Sequence, residues 1–170
     1  MTDMAQDEAL INAAVQGSAR AWEKLVRRYE RRVYNYGLRL TGNPTDAMDL
    51  MQEVFVGVYR NLHRFRGDAR FSSWLFRIAH NKAVDMNRRQ RLVSVQDIRS
   101  WTGDEPTPDY DNVVDEKSTD PQQSVLDSEL NQQIAGFLQS LPLEQRLLVE
   151  LKVFQSLTFE EIAEMQDIST

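Results

Sequence analysis

Phe65, Phe71 and Trp74 are mixed with Arg66, Arg70 and Arg77 over residues 65–77, so flat aromatic faces lie beside phosphate-seeking cations. An unpaired base stacked on such a ring gains ~1–3 kcal/mol, and guanidinium groups can hold the phosphates between bases. Asn81 adds a side chain with both donor and acceptor, able to read the edge of an everted base. Lys82, Arg88 and Arg89 continue the cationic run. Upstream, Asp46, Asp49, Gln52 and Glu53 offer acceptors suited to paired, charge-assisted hydrogen bonds from arginine. One segment is fitted to a basic protein partner, the next to nucleic acid.

Each group also has a plainer account. Acidic residues in the first turns of a helix are ordinarily a solvated face that complements the helix dipole. Phe76 and Ile78 read as core, whereas Phe71 and Trp74 fit either a core or a stacking role. Arg27, Arg28, Arg31 and Arg32 can simply solubilise a helix, and they are not assigned to nucleic acid. His63 and His80 have no carboxylate or thiol cluster at ligand spacing, so neither reads as a metal ligand.

Helices must position these side chains. Leu10, Ile11, Ala14 and Val15 suggest a short first helix ended by Gly17. Ser18 suits the N-cap of a second, with apolar Trp22, Leu25, Val26, Tyr29, Val33, Tyr36 and Leu40 at helical period. Thr41-Gly42-Asn43-Pro44 breaks it, and Thr45 or Asp46 is expected to cap a third helix running to about Leu62. Its stripe is Ala47, Leu50, Met51, Val54, Phe55, Val58 and Leu62, which leaves the acidic residues off the apolar face. A loop from His63 to Phe71 leads to a fourth helix, capped by Ser72 or Ser73 and fading near Arg91. Trp74, Arg77, Asn81 and Arg88 share one of its faces.

Residues 92–123 lose the periodicity. Pro106, Pro108 and Pro121 interrupt an acidic, polar stretch with the composition of a linker, although Trp101, Tyr110 and Val113-Val114 suggest some packing or docking. Periodicity resumes at Leu126, Leu130, Ile134, Phe137, Leu138 and Leu141. Pro142 suits the start of a helix bearing Leu147, Leu148, Leu151 and Phe154. After a turn at Gln155-Ser156-Leu157, Thr158 and Glu161 form a capping box. Phe159, Ile162, Ala163 and Met165 then make one face of a short helix.

Charge divides the chain the same way. Residues 1–91 hold 16 Lys and Arg against 10 Asp and Glu, whereas residues 92–123 and residues 124–170 each hold 2 against 8. A basic amino-terminal unit suits a polyanion, and the acidic remainder does not. The absence of cysteine excludes disulfides and thiolate metal sites. No run approaches the ~18 apolar residues of a membrane span, and the acidic, polar start is unlike a signal peptide. A cytoplasmic protein without direct membrane insertion is expected. No nucleophile–base pair or Gly-rich phosphate loop argues for an enzyme, and no cofactor is expected.

Three stretches in order carry a resemblance. DAMDLMQEVFVGVYRNL, FRGDARFSSWLFRIAHNKAVDMNRRQR and LPLEQRLLVELKVFQSLTFEEIAEM resemble, over nearly the whole chain, an RNA polymerase sigma factor of the extracytoplasmic-function (ECF) group. The resemblance implies an all-α protein: two small helical domains joined by an acidic flexible linker. Residues 1–91 would be the sigma region 2 domain, 92–123 the linker, and 124–170 a partial region 4 domain. Asp46, Asp49, Gln52 and Glu53 would meet a coiled coil of core RNA polymerase. Phe65, Arg66, Arg70, Phe71, Trp74, Arg77, Asn81, Lys82, Arg88 and Arg89 would hold promoter DNA at the minus-ten element and help melt it. An anti-sigma factor is an implied partner.

The resemblance stops before the recognition helix of the helix-turn-helix, which points to truncation there and leaves Phe159, Ile162 and Met165 with nothing to pack against. The nearest rival is a helix-turn-helix regulator that binds DNA without polymerase. A helical protein-binding adaptor comes next. The acidic third helix and the aromatic loop count against the first. The basic amino-terminal unit counts against the second.

Overall fold

The computed structural model describes residues 2–94, 130, 133–134 and 136–167, and every element among them is helical. The first helix, α1 (Thr2–Val15), begins earlier than the apolar pattern suggests. Its early turns are fastened by a polar contact. Asp7 is buried, accepting from the Tyr29 hydroxyl at 2.5 Å and from Arg28 Nη1 at 2.7 Å. A buried carboxylate satisfied on both oxygens avoids the cost of an unpaired charge. Burial, and then the bond to Asp7, pushes the Tyr29 phenol well up, so it stays a donor.

In α2 (Ala19–Thr41) Ser18 caps the start, its hydroxyl accepting from the Ala21 amide. Leu25, Tyr29, Val33, Tyr36 and Leu40, spaced by three and four, form the buried stripe. The helix ends at Gly42, whose φ of 66° is the left-handed cap conformation that side chains disfavour. The next helix, α3 (Pro44–Asn61), follows at once. Asn43, not Thr45 or Asp46, is its cap, with Oδ1 accepting from the amides of both those residues. Pro44 occupies the first helical position, where its missing N–H costs nothing, and this moves the cap two or three residues earlier than expected. Helices α2 and α3 lie close because Gly37 has no side chain. A methyl there would sit 3.1 Å from Ala47 Cα and 3.2 Å from its carbonyl oxygen.

A 3-10 turn, Leu62–Arg64, leads through the basic loop to α4 (Phe71–Ser94). Neither Ser72 nor Ser73 caps α4, because the helix has already begun at Phe71, and Ser73 is buried. Phe71, Leu75, Phe76, Ala79 and Ala83 form its core face. The helix continues past Arg91 to Ser94, three residues beyond the expected domain boundary. Of the expected linker, residues 95–123 lie outside the described residues, as do Trp101, Tyr110 and the Val113-Val114 pair.

The second half contains α5 (Leu143–Val149), a π-helical turn running straight on (Glu150–Phe154) and α6 (Phe159–Asp167). The Thr158–Glu161 capping box forms in both directions, at 2.8 and 3.1 Å. Ile162 and Met165 do have a packing partner, contrary to the expectation for an unfinished motif. Together with Leu147, Leu151 and Leu157 they are buried in the same apolar cluster as the cores of α2, α3 and α4. Only Phe159 of that set is left out, 63% exposed. The first half supplies the missing surface.

Candidate nucleic-acid interface and partner face

Off the buried stripe of α3, Asp49 and Gln52 are exposed and Asp46 and Glu53 half-buried. The latter two are engaged from within the chain. Asp46 Oδ2 accepts from Gln90 at 3.2 Å, and both oxygens of Glu53 accept from Arg89 Nη2, at 3.2 and 2.9 Å. The carboxylate beside it holds the Arg89 guanidinium further up than usual. Glu53 thus already accepts an arginine, from its own chain, in the chemistry expected of a partner.

Beside this face lies an apolar groove of about 670 Å³ between the α1–α2 turn and α3, lined by Trp22, Val26, Met51, Phe55, Val56 and Tyr59. Gln52 also lines it, so the acidic face and the groove are continuous. Val56 is 49% exposed and Tyr59 61%, with the Trp22 and Tyr59 rings 5.1 Å apart. The sequence reading missed this feature. Its signal was there: Val56 and Tyr59 are large and apolar, yet fall off the stripe that buries Val54 and Val58.

The predicted DNA residues divide into three groups. Phe65 and Trp74 are half-buried, with centroids 5.4 Å apart, and each retains exposed ring surface. Arg77 and Asn81 follow Trp74 along one face of α4, both half-buried, and Arg88 continues that face, 3.3 Å from Asp85. Arg66 is exposed in the loop. This group forms a stripe of aromatic, cationic and amide chemistry.

Phe71 is a core residue. It is 4% exposed, packed edge-on against Tyr29 at 5.3 Å and Phe65 at 5.5 Å, so its ring has no free face for a base. Phe76 is fully buried, as expected, and Ile78 packs on the core from a half-buried position.

Lys82 and Arg89 lie on the side of α4 that faces α3. The Lys82 stem passes over Gly57 next to Ile78, and Arg89 is bonded to Glu53. Arg70, at the foot of α4, reaches the other way. It donates to the Ser156 carbonyl at 3.4 Å and lies 3.7 Å from Glu161. His80 is buried, and burial lowers its pKa, which keeps it neutral. Among the described residues no group of three His, Cys, Asp or Glu side chains is placed to hold a metal.

Residues 25–93 match the sigma-70 region 2 family. The chain is 31% identical over 169 residues to the RNA polymerase sigma-H factor of Pseudomonas aeruginosa, spanning 96% of this chain and 83% of that protein. It is also 31% identical over 169 residues to the ECF RNA polymerase sigma-E factor of Haemophilus influenzae, spanning 98% and 87%. Among solved structures, CnrH in complex with the cytosolic domain of CnrY shares the fold. The TM-score is 0.61 at 22% identity, over 95% of this chain and 83% of that one.

Proposed function

This chain belongs to the ECF group of RNA polymerase sigma factors, and from that premise we propose which surfaces perform the initiation chemistry. As a transcription initiation factor it works with core RNA polymerase. The acidic face of α3 receives arginines of the polymerase, and the adjoining groove receives apolar side chains of the same partner. Charge-assisted acceptors beside a desolvated aromatic anchor are the usual composition of an interface hot spot.

Promoter DNA is held by the α4 stripe. A melted minus-ten strand stacks on the exposed parts of Phe65 and Trp74, Arg66 and Arg77 take its phosphates, and Asn81 reads an everted base. The observation that carries this reading is the arrangement of Trp74, Arg77 and Asn81 on one face with partly open surfaces, next to Phe65. Arg88 extends the phosphate track.

Among the described residues of the second half there is no comparable surface. Of its two basic residues, Arg146 donates to the carbonyls of Leu40 and Leu141, while Lys152 donates to the Leu157 carbonyl and lies over the Phe159 ring. These residues therefore do not read the minus-thirty-five duplex. An anti-sigma protein inserting a helix into the Trp22–Tyr59 groove would exclude polymerase from the same face. A cytoplasmic site of action fits these roles. No helix among the described residues is long and apolar enough to cross a membrane.

The test is promoter opening by holoenzyme at one fixed ionic strength, because phosphate contacts make binding salt-dependent. Trp74→Ala should reduce opening by the loss of one stack, ~1–3 kcal/mol, whereas Asn81→Ala should relax base preference at one position. Wild-type opening and base preference in both variants would remove the stripe from the mechanism.

A further inference from the structure

Phe65 stands in the loop before α4, yet its ring sits 5.4 Å from that of Trp74 on the helix. The rings beneath hold it there. Phe65, Phe71 and Trp74 are mutually in contact, with Phe71 edge-on to Phe65 at 5.5 Å and tilted 35° from Trp74 at 5.8 Å. Phe71 is the buried member, and Tyr29 of α2 meets it edge-on at 5.3 Å. Aromatic pairs at such distances have preferred angles, so orientation passes from one ring to the next.

Tyr29 in turn is fixed at its far end. Its hydroxyl donates to Asp7 Oδ2 at 2.5 Å, and the Arg32 guanidinium lies 5.5 Å from its ring centre. Asp7, from α1, is held on its other oxygen by Arg28 at 2.7 Å. A short bond to a buried carboxylate restrains both the plane of the Tyr29 ring and its depth in the core. A continuous path thus runs from α1 to the surface, through Asp7, Tyr29 and Phe71 to Phe65 and Trp74.

We propose that Asp7 and Tyr29 are positioning residues for base stacking: through Phe71 they hold Phe65 and Trp74 at the spacing that receives an unpaired base. Neither residue touches the DNA. This rests on the Phe65–Trp74 surface being the DNA face. Rings already in place need no further ordering when the base arrives, whereas a loosened platform must be ordered at that step.

Tyr29→Phe tests the path, because it keeps the ring and removes the hydroxyl bond. The chain contains three tryptophans. With 5-fluorotryptophan incorporated, the Trp74 fluorine resonance is identified by its absence in Trp74→Phe. In Tyr29→Phe that resonance should shift or broaden, although the substitution lies on another helix. In holoenzyme the same variant should open promoters about two- to tenfold more slowly, the scale of re-ordering one side chain, with core polymerase binding unchanged. Asp7→Asn keeps an oxygen for the hydroxyl and should leave both readouts near their parental values, whereas Asp7→Leu should reproduce Tyr29→Phe. Arg28→Gln loosens α1 without removing the hydroxyl bond, and should leave the Trp74 resonance in place.

An unmoved Trp74 resonance in Tyr29→Phe overturns the path, whatever the effect on DNA. A moved resonance with parental opening, while Trp74→Ala opens slowly, overturns the role in stacking. An equal response to Arg28→Gln reduces the pair to a fastening of α1 and overturns the proposal as well. Parental opening in Trp74→Ala too, with the resonance moved, overturns the DNA face and the proposal with it, while leaving the path intact. If Tyr29→Phe loses helicity, Asp7→Leu, which leaves no carboxylate buried, provides the same two readouts.

Discussion

Two arginine–glutamate pairs in this molecule have the same chemistry and opposite settings. Arg39 and Glu150 join the halves with side-chain exposures of 15% and 0%, whereas Arg89 and Glu53 clasp α4 to α3 at 58% and 37%. Water screens the second pair and lets either partner exchange for another, so its net contribution is about 0–1 kcal/mol. The first has surrendered its hydration, and each charge depends on the other. The exposed pair is suited to partner exchange. The buried pair fixes an arrangement, and removing one member strands a charge.

The comparison breaks most readily at Glu150. Glu150→Ala should lower the stability of the chain by about 3–5 kcal/mol in urea denaturation, the usual result of orphaning one member of a buried pair. Replacing both members together, as Arg39→Met with Glu150→Leu, should cost much less than either single change, because no charge is left unpaired. A loss below 1 kcal/mol in Glu150→Ala would put the two pairs on an equal footing and end the contrast.

Burial also governs the response to pH. His80 is buried neutral with a lowered pKa, so the unfolded chain binds more protons than the folded one in that range. Stability from His80 is complete above the usual imidazole value and is lost as the pH falls toward the lowered one. The slope for one proton is at most about 1.4 kcal/mol per pH unit. Thermal unfolding between pH 7.5 and 5.5 should reveal it, and His80→Gln should flatten it. An unchanged slope in the variant would assign the effect to other groups.

The smallest effect on stability belongs to the exposed clasp. Glu53→Lys should change unfolding free energy by about 1 kcal/mol or less, yet weaken association with core polymerase in a pull-down. Asp49→Lys should do the same. Intact polymerase binding by both variants would separate the acidic face from the partner site.

Much was legible where local patterns decide the structure. The stripes of α2 and α3 follow from three- and four-residue spacing, and Ser18 and the Thr158–Glu161 box act within one turn of their own helices. The N-cap of α3 was misplaced by two or three residues, since Pro44 can open a helix and the acceptor therefore falls to Asn43. What escaped was long-range. Spacing shows that Ile162 and Met165 share an apolar face but not that the first half covers it. Phe71 becomes core only because Tyr29 meets it from another helix. Lys82 and Arg89 are cationic in any reading, and only the placement of α3 shows that one lies over Gly57 and the other is bonded to Glu53. Glu150 sits in an acidic segment and reads as surface until Arg39 is seen opposite.

One local irregularity lies at the junction between the halves. In an α-helix each residue turns the chain by about 100°, whereas a π turn closes i to i+5 bonds and takes up extra chain before the circuit is complete. Glu150–Phe154 is such a turn, with the Gln155 amide bonded to the Glu150 carbonyl at 3.1 Å. The extra residue is absorbed within the turn, and Gln155 and Leu157 lie in the same interface as Glu150 and Leu151. Deleting Val153, a largely exposed residue, would remove almost no buried surface. It would leave a regular turn that carries the following side chains to nearly the same angle, because an i to i+4 and an i to i+5 closure each complete slightly more than one circuit. The junction between the halves therefore tolerates a change of chain length at this one exposed position.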